Sequence, residues 1–361
     1  MQQEINSIEI ITPDDWHLHL RESPIIDKVF PYSFTNYGRA IIMPNLEVPI
    51  IKFSQAKDYY KKIKSLLKPG IKFEPLMTLF LSEETKVLDI YDGVKSGIIK
   101  AIKFYPQGVT TNSDGGIKNL SKIYKLLEKL PDLKIPLLIH GETSNSKVDI
   151  YDREAYFLEE TIVYLRERIP ELKIVLEHIT TKDSVDYILE NNSNIAATIT
   201  AHHLIINRNH LFDGGLRPHY YCRPIAKREL HRVAIRKAAT SGNLKFFLGT
   251  DSAPHFDNNK ENSCGCAGIF SAPNALGYVA QVFEEDFSLN NLENFISING
   301  ANFYNLPLNS TFTKFTKFNE PIKYPDKINV GKKLITVFNP GYPLYWKNEI
   351  LNQKDFTKED S

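Results

Sequence analysis

Pro136-Leu-Leu-Ile-His140-Gly-Glu142 and Ile174-Val-Leu-Glu-His178 are built alike: a short apolar, branched run that ends on a histidine. Runs of this kind read as buried strands, and the histidines stand at their carboxyl ends. Three other segments follow the same plan. Trp16 leads into His17-Leu18-His19, Ala101-Ile102 into Lys103-Phe104-Tyr105-Pro106, and Phe246-Phe-Leu-Gly249 into Thr250-Asp251-Ser252-Ala253-Pro254-His255. One fold gathers the ends of all its strands at a single rim, so residues far apart in sequence meet there.

Working outward, strand-like and helix-like stretches alternate from residue 7 to about residue 285. The first expected strand is Ile8–Ile11 leading into Trp16–Leu20. Then come Arg39–Met43, Phe73–Leu79, Ala101–Phe104, Pro136–His140, Ile174–His178, Ile195–Thr200 and Phe246–Gly249. Helices are expected over Ser54–Leu67, Ser82–Ser96, Leu120–Leu130, Glu154–Arg168, Lys182–Glu190 and Ala226–Thr240. Leu120, Ile123, Tyr124, Leu127 and Leu130 have the three-to-four spacing of one buried helical face. Thr181 or Lys182-Asp183 opens its helix in a capping context. Eight such units predict an α/β fold, a closed (β/α)8 TIM barrel, rather than an open doubly wound sheet. No Gly-x-Gly-x-x-Gly or Walker-type loop is present, which weakens a nucleotide-binding reading.

Residues 1–361 are expected to form one domain, with the barrel at about 8–305 and a C-terminal extension at about 306–361. From Pro307 onward Phe, Thr and Lys alternate, which is the pattern of a half-buried strand. The final stretch NQKDFTKEDS is expected to fray. Gly108–Lys118 is polar and glycine-rich and follows the fourth strand, where active-site loops belong.

Composition excludes several classes. A formal net charge of +1 argues against a polyanion-binding surface, so no nucleic acid is expected. No apolar run is long enough to span a membrane, and the first ten residues do not resemble a signal peptide. Cys222, Cys264 and Cys266 make no disulfide framework. A cytoplasmic protein is the simplest expectation.

The strand-end residues carry the chemistry. His17 and His19, two apart in a strand, point to one side and can hold one divalent ion. Alone, His-x-His is more often a hydrogen-bonded polar pair, but Arg21 beside it suits a carboxylate substrate. His140 and His178 would face the same rim. Asp251 can ligate a metal and accept a proton, or simply cap a helix. Lys103 is the misfit. Near histidines and cations its ammonium would be disfavoured, and a neutral amine can add carbon dioxide to become an anionic carbamate that bridges two metals. Equally, Lys103 can reach sideways to pair with Glu142 or Glu177.

The set HLHLR (17–21), MPN (43–45), KFYP (103–106), TTNS (110–113), HGE (140–142), EHIT (177–180), RPHYYC (217–222) and GTDSAPH (249–255) resembles the dihydroorotase family. CGCAG (264–268) and APNALG (272–277) add to the match, which runs from about residue 8 to about residue 345. The likeness is to the stand-alone bacterial type within the amidohydrolase superfamily. It implies two zinc ions per subunit. His17 and His19 would hold the more buried ion and His140 and His178 the more exposed one. Lys103, as N6-carboxylysine formed with carbon dioxide, would bridge them. Asp251 would ligate the first ion and shuttle the proton. Arg21, Asn45 and His255 would bind the substrate carboxylate, Thr110 and Thr111 would close over it, and backbone groups near Arg223 and at Ala267 would contact the ring. Arg223 departs from the Leu or Lys expected after the cysteine, so an inward-pointing charge there would alter substrate binding.

The resemblance implies reversible cyclisation of N-carbamoyl-L-aspartate to L-dihydroorotate in pyrimidine synthesis, by a homodimer. Two metals sharing a hydroxide would attack the cyclic amide, with Asp251 as acid and base. The competing readings are a hydantoinase- or allantoinase-like hydrolase, which has no need of a carboxylate seat, and a non-catalytic barrel scaffold, which would have lost ligands. His202 and His203 are expected to make loop hydrogen bonds, His210 and His231 to lie at the surface, and the two cysteines at 264 and 266 to be reduced and structural. His219 is given no role.

Overall fold

Among the described residues thirteen strands follow one another: β1 (Glu4–Ile11), β2 (Asp14–Leu18), β3 (Arg39–Ile42), β4 (Glu74–Phe80), β5 (Ile99–Phe104), β6 (Leu137–His140), β7 (Ile174–Glu177), β8 (Ile195–Ile199), β9 (Phe246–Leu248), β10 (Phe312–Phe318), β11 (Lys327–Val330), β12 (Lys333–Thr336) and β13 (Trp346–Ile350). The computed structural model describes residues 4–191 and 194–351. Strands β2 to β9 make one parallel sheet in sequence order. A parallel bridge from Leu18 to Ser252, with Asp251 N donating to His17 O at 2.9 Å, brings its two edges together. The architecture is the expected α/β barrel.

Inside the barrel each strand contributes one apolar side chain to a single buried cluster. These are Trp16, Ile41, Leu76, Ala101, Leu138, Val175, Ala196 and Phe247. Tyr304 closes the base by stacking on Trp16, ring centroids 4.5 Å apart. Successive inward positions are two residues apart. One step along, the interior therefore turns polar: Thr78, Lys103, His140, Glu177 and Thr198 are all buried. Hydrophobic plug and chemistry are stacked layers of the same strands.

Strand β2 breaks the alternation. Its pairing with β3 shifts between Asp15 and Leu18, so Trp16 and His17 together face the single residue Ile41. A bulge of this kind re-aims a side chain. Here it lets Trp16 fill the plug while His17 still turns to the rim.

Three expectations need correction. Ile8–Ile11 does not feed the first barrel strand. It lies in β1, which pairs antiparallel with β10, itself paired with β13, outside the barrel. The helix expected over Leu120–Leu130 is instead a 3-10 turn (Leu120–Lys122) and two single turns, Tyr124–Leu127 and Leu130–Leu133. Of the expected face Ile123, Leu127 and Leu130 are buried and Leu120 and Tyr124 half-buried, and Pro131, just past the expected end, has no N–H to continue a ladder while its ring crowds the preceding turn. Helix bounds also move: the stretch expected over Ser82–Ser96 is helical over Val87–Lys95, that over Glu154–Arg168 is interrupted by a π turn at Leu158–Ile162, and the last of the set begins at Glu229 rather than Ala226. The final residues 352–361, expected to fray, lie outside the described residues.

Candidate metal centre

At the rim, His17 Nε2, His19 Nε2 and Asp251 Oδ1 form a triangle with edges of 3.3, 3.0 and 3.3 Å. That is the spacing of ligand atoms around one ion with bonds of about 2 Å. His17 Nδ1 donates to Glu177 Oε2 at 2.7 Å, which leaves Nε2 as the lone-pair face. Glu177 is held in turn by Thr198 Oγ1 at 2.6 Å, and Thr198 accepts from His178 N at 2.7 Å. Asp15 ties both sides of the triangle, accepting from His17 N and from Thr250 N and Oγ1. Gly249 permits this closeness, because a Cβ there would sit 2.7 Å from Thr198 Cβ and 2.9 Å from His17 Cβ.

His140 and His178 stand beside this group, their rings 4.8 Å apart, and His178 lies 4.9 Å from His17. His140 Nε2 donates to Glu142 Oε2 at 2.9 Å and so leaves Nδ1 for a ligand. His178 Nδ1 is buried with no hydrogen-bond partner. The loop behind it is anchored by the buried Glu154, which accepts from the backbone N–H groups of Thr180 and Thr181 and from Ser184 Oγ.

Lys103 is fully buried, and its Nζ has no hydrogen-bond partner. It lies 4.9 Å from the Tyr105 ring centroid. Neither carboxylate considered as its partner pairs with it: Glu142 serves His140 and Arg223, and Glu177 serves His17 and Thr198. Burial lowers the Lys103 pKa to about 8, although Glu177 and Asp251 pull the other way. For Asp251 burial acts upward, yet His17, His19 and His178 hold its carboxyl well below the usual range. Unpartnered Nζ and Nδ1 atoms beside an oxygen–nitrogen triangle fit a site for divalent metal.

Arg21, His178 and Asp251 all adopt left-handed backbone, with φ of 64°, 42° and 47°. Non-glycine residues rarely do so, and such conformations concentrate at functional sites. Tyr59 pins Arg21 by donating to its carbonyl at 2.7 Å.

Eleven of the expected residues line one pocket: His17, His19, Arg21, Asn45, Thr110, Thr111, His140, His178, Arg223, Asp251 and Ala267, joined by Tyr105, Ala253 and Gly268. Lys103 and His255 are buried just behind the wall. Nε2 of His255 is 3.0 Å from both Arg21 Nη2 and Ala267 O, and can serve only one of them at a time. Asn45 Nδ2 donates to Thr111 O at 3.0 Å, and Asn112 Nδ2 returns a bond to Asn45 O at 3.2 Å. The Thr110–Thr111 loop is thereby latched over the pocket. Arg223 does face the site, with Nε donating to Glu142 Oε2 at 3.1 Å. Its charge is balanced by the carboxylate that also orients His140.

The remaining histidines differ among themselves. His203 bonds Thr200 and the Pro224 carbonyl, whereas His202 is buried with both ring nitrogens unpartnered. His219 bonds Glu261 at 2.7 Å. His210 and His231 are half-buried. The three cysteines are free.

A model of the amidohydrolase family matches residues 10–311. A dihydroorotase from Chelativorans sp. (strain BNC1) is 50% identical over 345 residues, covering 96% of this chain and 100% of that protein. A crystal structure of dihydroorotase from Saccharomyces cerevisiae, in complex with 5-fluoroorotic acid, matches with a TM-score of 0.87 at 32% identity, over 96% of this chain and 99% of that one. The dihydroorotase structure from Campylobacter jejuni gives 0.86 at 35% identity, over 96% and 98%.

Proposed function

The chain belongs to the dihydroorotases of the amidohydrolase family, and on that premise we propose how its own residues run the reaction. The reaction is hydrolysis of a cyclic amide C–N bond, opening L-dihydroorotate to N-carbamoyl-L-aspartate, and its reverse in pyrimidine synthesis. The observation that carries the residue assignment is the triangle of His17, His19 and Asp251 with Arg21 in the pocket wall beside it and the buried His255 3.0 Å from the Arg21 guanidinium.

His17, His19 and Asp251 would hold one zinc ion and His140 and His178 a second. Lys103 would bridge them as a carbamate, formed when its neutral Nζ adds to carbon dioxide and releases a proton. Bound there, the metals would supply a nucleophile from water at neutral pH and polarise the amide carbonyl. Asp251, kept ionised, takes the proton from the attacking water and passes it to the departing ring nitrogen. Arg21, Asn45 and His255 seat the substrate carboxylate, which orients the ring against Asp251. Arg223 and Ala267 border the ring, and Thr110 and Thr111 exclude water above it. In the reverse direction Asp251 donates to the departing oxygen. Cyclisation consumes a proton, so lower pH favours it.

The carboxylate seat separates this reading from a hydantoinase or allantoinase, and the assembled ligand atoms separate it from a scaffold. A cytoplasmic homodimer belongs to the same proposal and rests on the likeness to stand-alone bacterial dihydroorotases; sedimentation tests the dimer. The central experiment follows ring opening of L-dihydroorotate by ultraviolet absorbance beside hydantoin and allantoin, with metal content measured on the same sample. Turnover of only the latter two would reject the assignment.

A further inference from the structure

Lys260 ends the one-turn helix Asp257–Lys260 and is 5% exposed. Its Nζ donates to three backbone carbonyls: Tyr221 O at 3.2 Å, Cys266 O at 2.9 Å and Gly268 O at 2.6 Å. An ammonium has three donors, so all are used. Burying a cation is costly, and among the described residues no carboxylate forms an ion pair with this one, Asp257 favouring the charge only from a distance. Burial pulls the pKa down to about 8, which still leaves the ammonium dominant at neutral pH.

The three carbonyls belong to two separate walls of the substrate pocket. Tyr221 precedes Cys222 and Arg223, whereas Cys266 and Gly268 flank Ala267. The walls meet where Gly268 N donates to Tyr221 O at 3.0 Å, the same oxygen that Lys260 holds. Gly268, at φ +152°, lies flush on the third wall. A Cβ there would come within 2.8 Å of both Ala253 O and His255 Cδ2. One ammonium thus sits at the junction that fixes Arg223, Ala267 and His255 relative to one another.

We propose that Lys260 is a positioning residue for substrate recognition: it sets the Arg223 and Ala267 walls against His255 and so shapes the seat for the substrate carboxylate. The inference rests on the reading of Arg21 and His255 as that seat. A merely structural staple would affect folding but leave the kinetics of the folded protein alone.

The test is a double-mutant cycle with Lys260→Met and Arg21→Met in metal-verified full-length protein, reading kcat and KM for L-dihydroorotate. Lys260→Met is expected to raise KM about tenfold or more, the loss of several charged hydrogen bonds, with kcat changed by less than about threefold. In the Arg21→Met background its effect on KM should largely vanish, because both act on one seat. Lys260→Gln, which keeps two donors on a shorter stem, should recover part of the KM and replaces the Met variant if that fails to fold. An unchanged KM in Arg21→Met would reject the carboxylate seat itself. A raised KM in Arg21→Met beside an unchanged KM in the Lys260 variants, or effects that multiply, would overturn the role of Lys260 alone.

Discussion

Glu177 Oε2 lies 2.7 Å from His17 Nδ1, across the barrel rim from the strand that carries the histidine. A carboxylate can only accept, so this contact puts the imidazole proton on Nδ1 and turns the Nε2 lone pair toward His19 and Asp251. Removing Glu177 frees the ring to choose the wrong tautomer. Glu177→Ala is expected to weaken metal binding about 10- to 100-fold. Competition with a chelator measures this, and metal retention equal to the unmodified protein would refute it.

Lys103 offers a sharper outcome. Its unpartnered Nζ makes no hydrogen bond that the fold needs, so Lys103→Ala should keep the melting temperature within a few degrees. The proposed bridge would be gone, and turnover should fall by about a thousandfold or more. Native mass spectrometry of the unmodified protein should show the added mass of one carbon dioxide. Normal turnover in metal-verified Lys103→Ala would end the bridging proposal.

The loop latch is separable from the chemistry. Asn45 holds Thr111 through its side chain and Asn112 through its carbonyl. Thr111→Ala keeps the backbone bond to Asn45 and loses only the 3.4 Å contact from Oγ1 to Ala267 O, together with any bond to substrate. Asn45→Ala loosens the loop and the carboxylate seat at once. The expected order of damage to kcat/KM is therefore Asn45→Ala above Thr111→Ala, with the former at least about tenfold. Steady-state kinetics would contradict this if the order were reversed.

Strand ends were legible in sequence because each polar residue closes an apolar run, and that pattern brings the candidate metal ligands together, whereas Asn45, Thr110, Thr111, Arg223 and Ala267 stand on loops and were marked only by the family resemblance. The bulge at Trp16–His17 was not, since it exists only in the register between β2 and β3. Nor was the part played by Glu177 and Thr198, which depends on their inward facing beside His17. The spacing of Leu120, Ile123, Tyr124, Leu127 and Leu130 suggested one helix ending just before Pro131, and nothing in that spacing shows the breaks at Ile123 and at Glu128–Lys129. Lys260 resembles any surface lysine in sequence, because backbone carbonyls leave no signature in side-chain type.

Asp257 gives a pH prediction. Burial would raise its pKa, but Lys327 at 2.7 Å and the hydroxyl and N–H of Thr336 hold its carboxyl below the usual aspartate range. A depressed folded pKa adds stability above the unfolded value, and that stability is lost as pH falls through the folded one. The melting temperature of Asp257→Asn should therefore lie below that of the unmodified protein near neutral pH, with the gap closing as the pH falls through and below the usual aspartate range. A gap that widened in acid would reverse the assignment.

That same anchor orders events during synthesis. The helix Asp257–Lys260 is held early by Lys260 and by Cys266 N bonding Asn259 O, but its anchor from Asp257 to Thr336, 79 residues further along, forms last. At ordinary translation rates this interval lasts roughly 4–16 s. Every barrel strand has left the ribosome by then, and the residues of the metal centre with them. What still waits is the hairpin of β11 and β12, which anchors the helix that ends in Lys260. In a nascent chain the candidate metal-holding residues would thus be complete before the last anchor of the Lys260 helix is made.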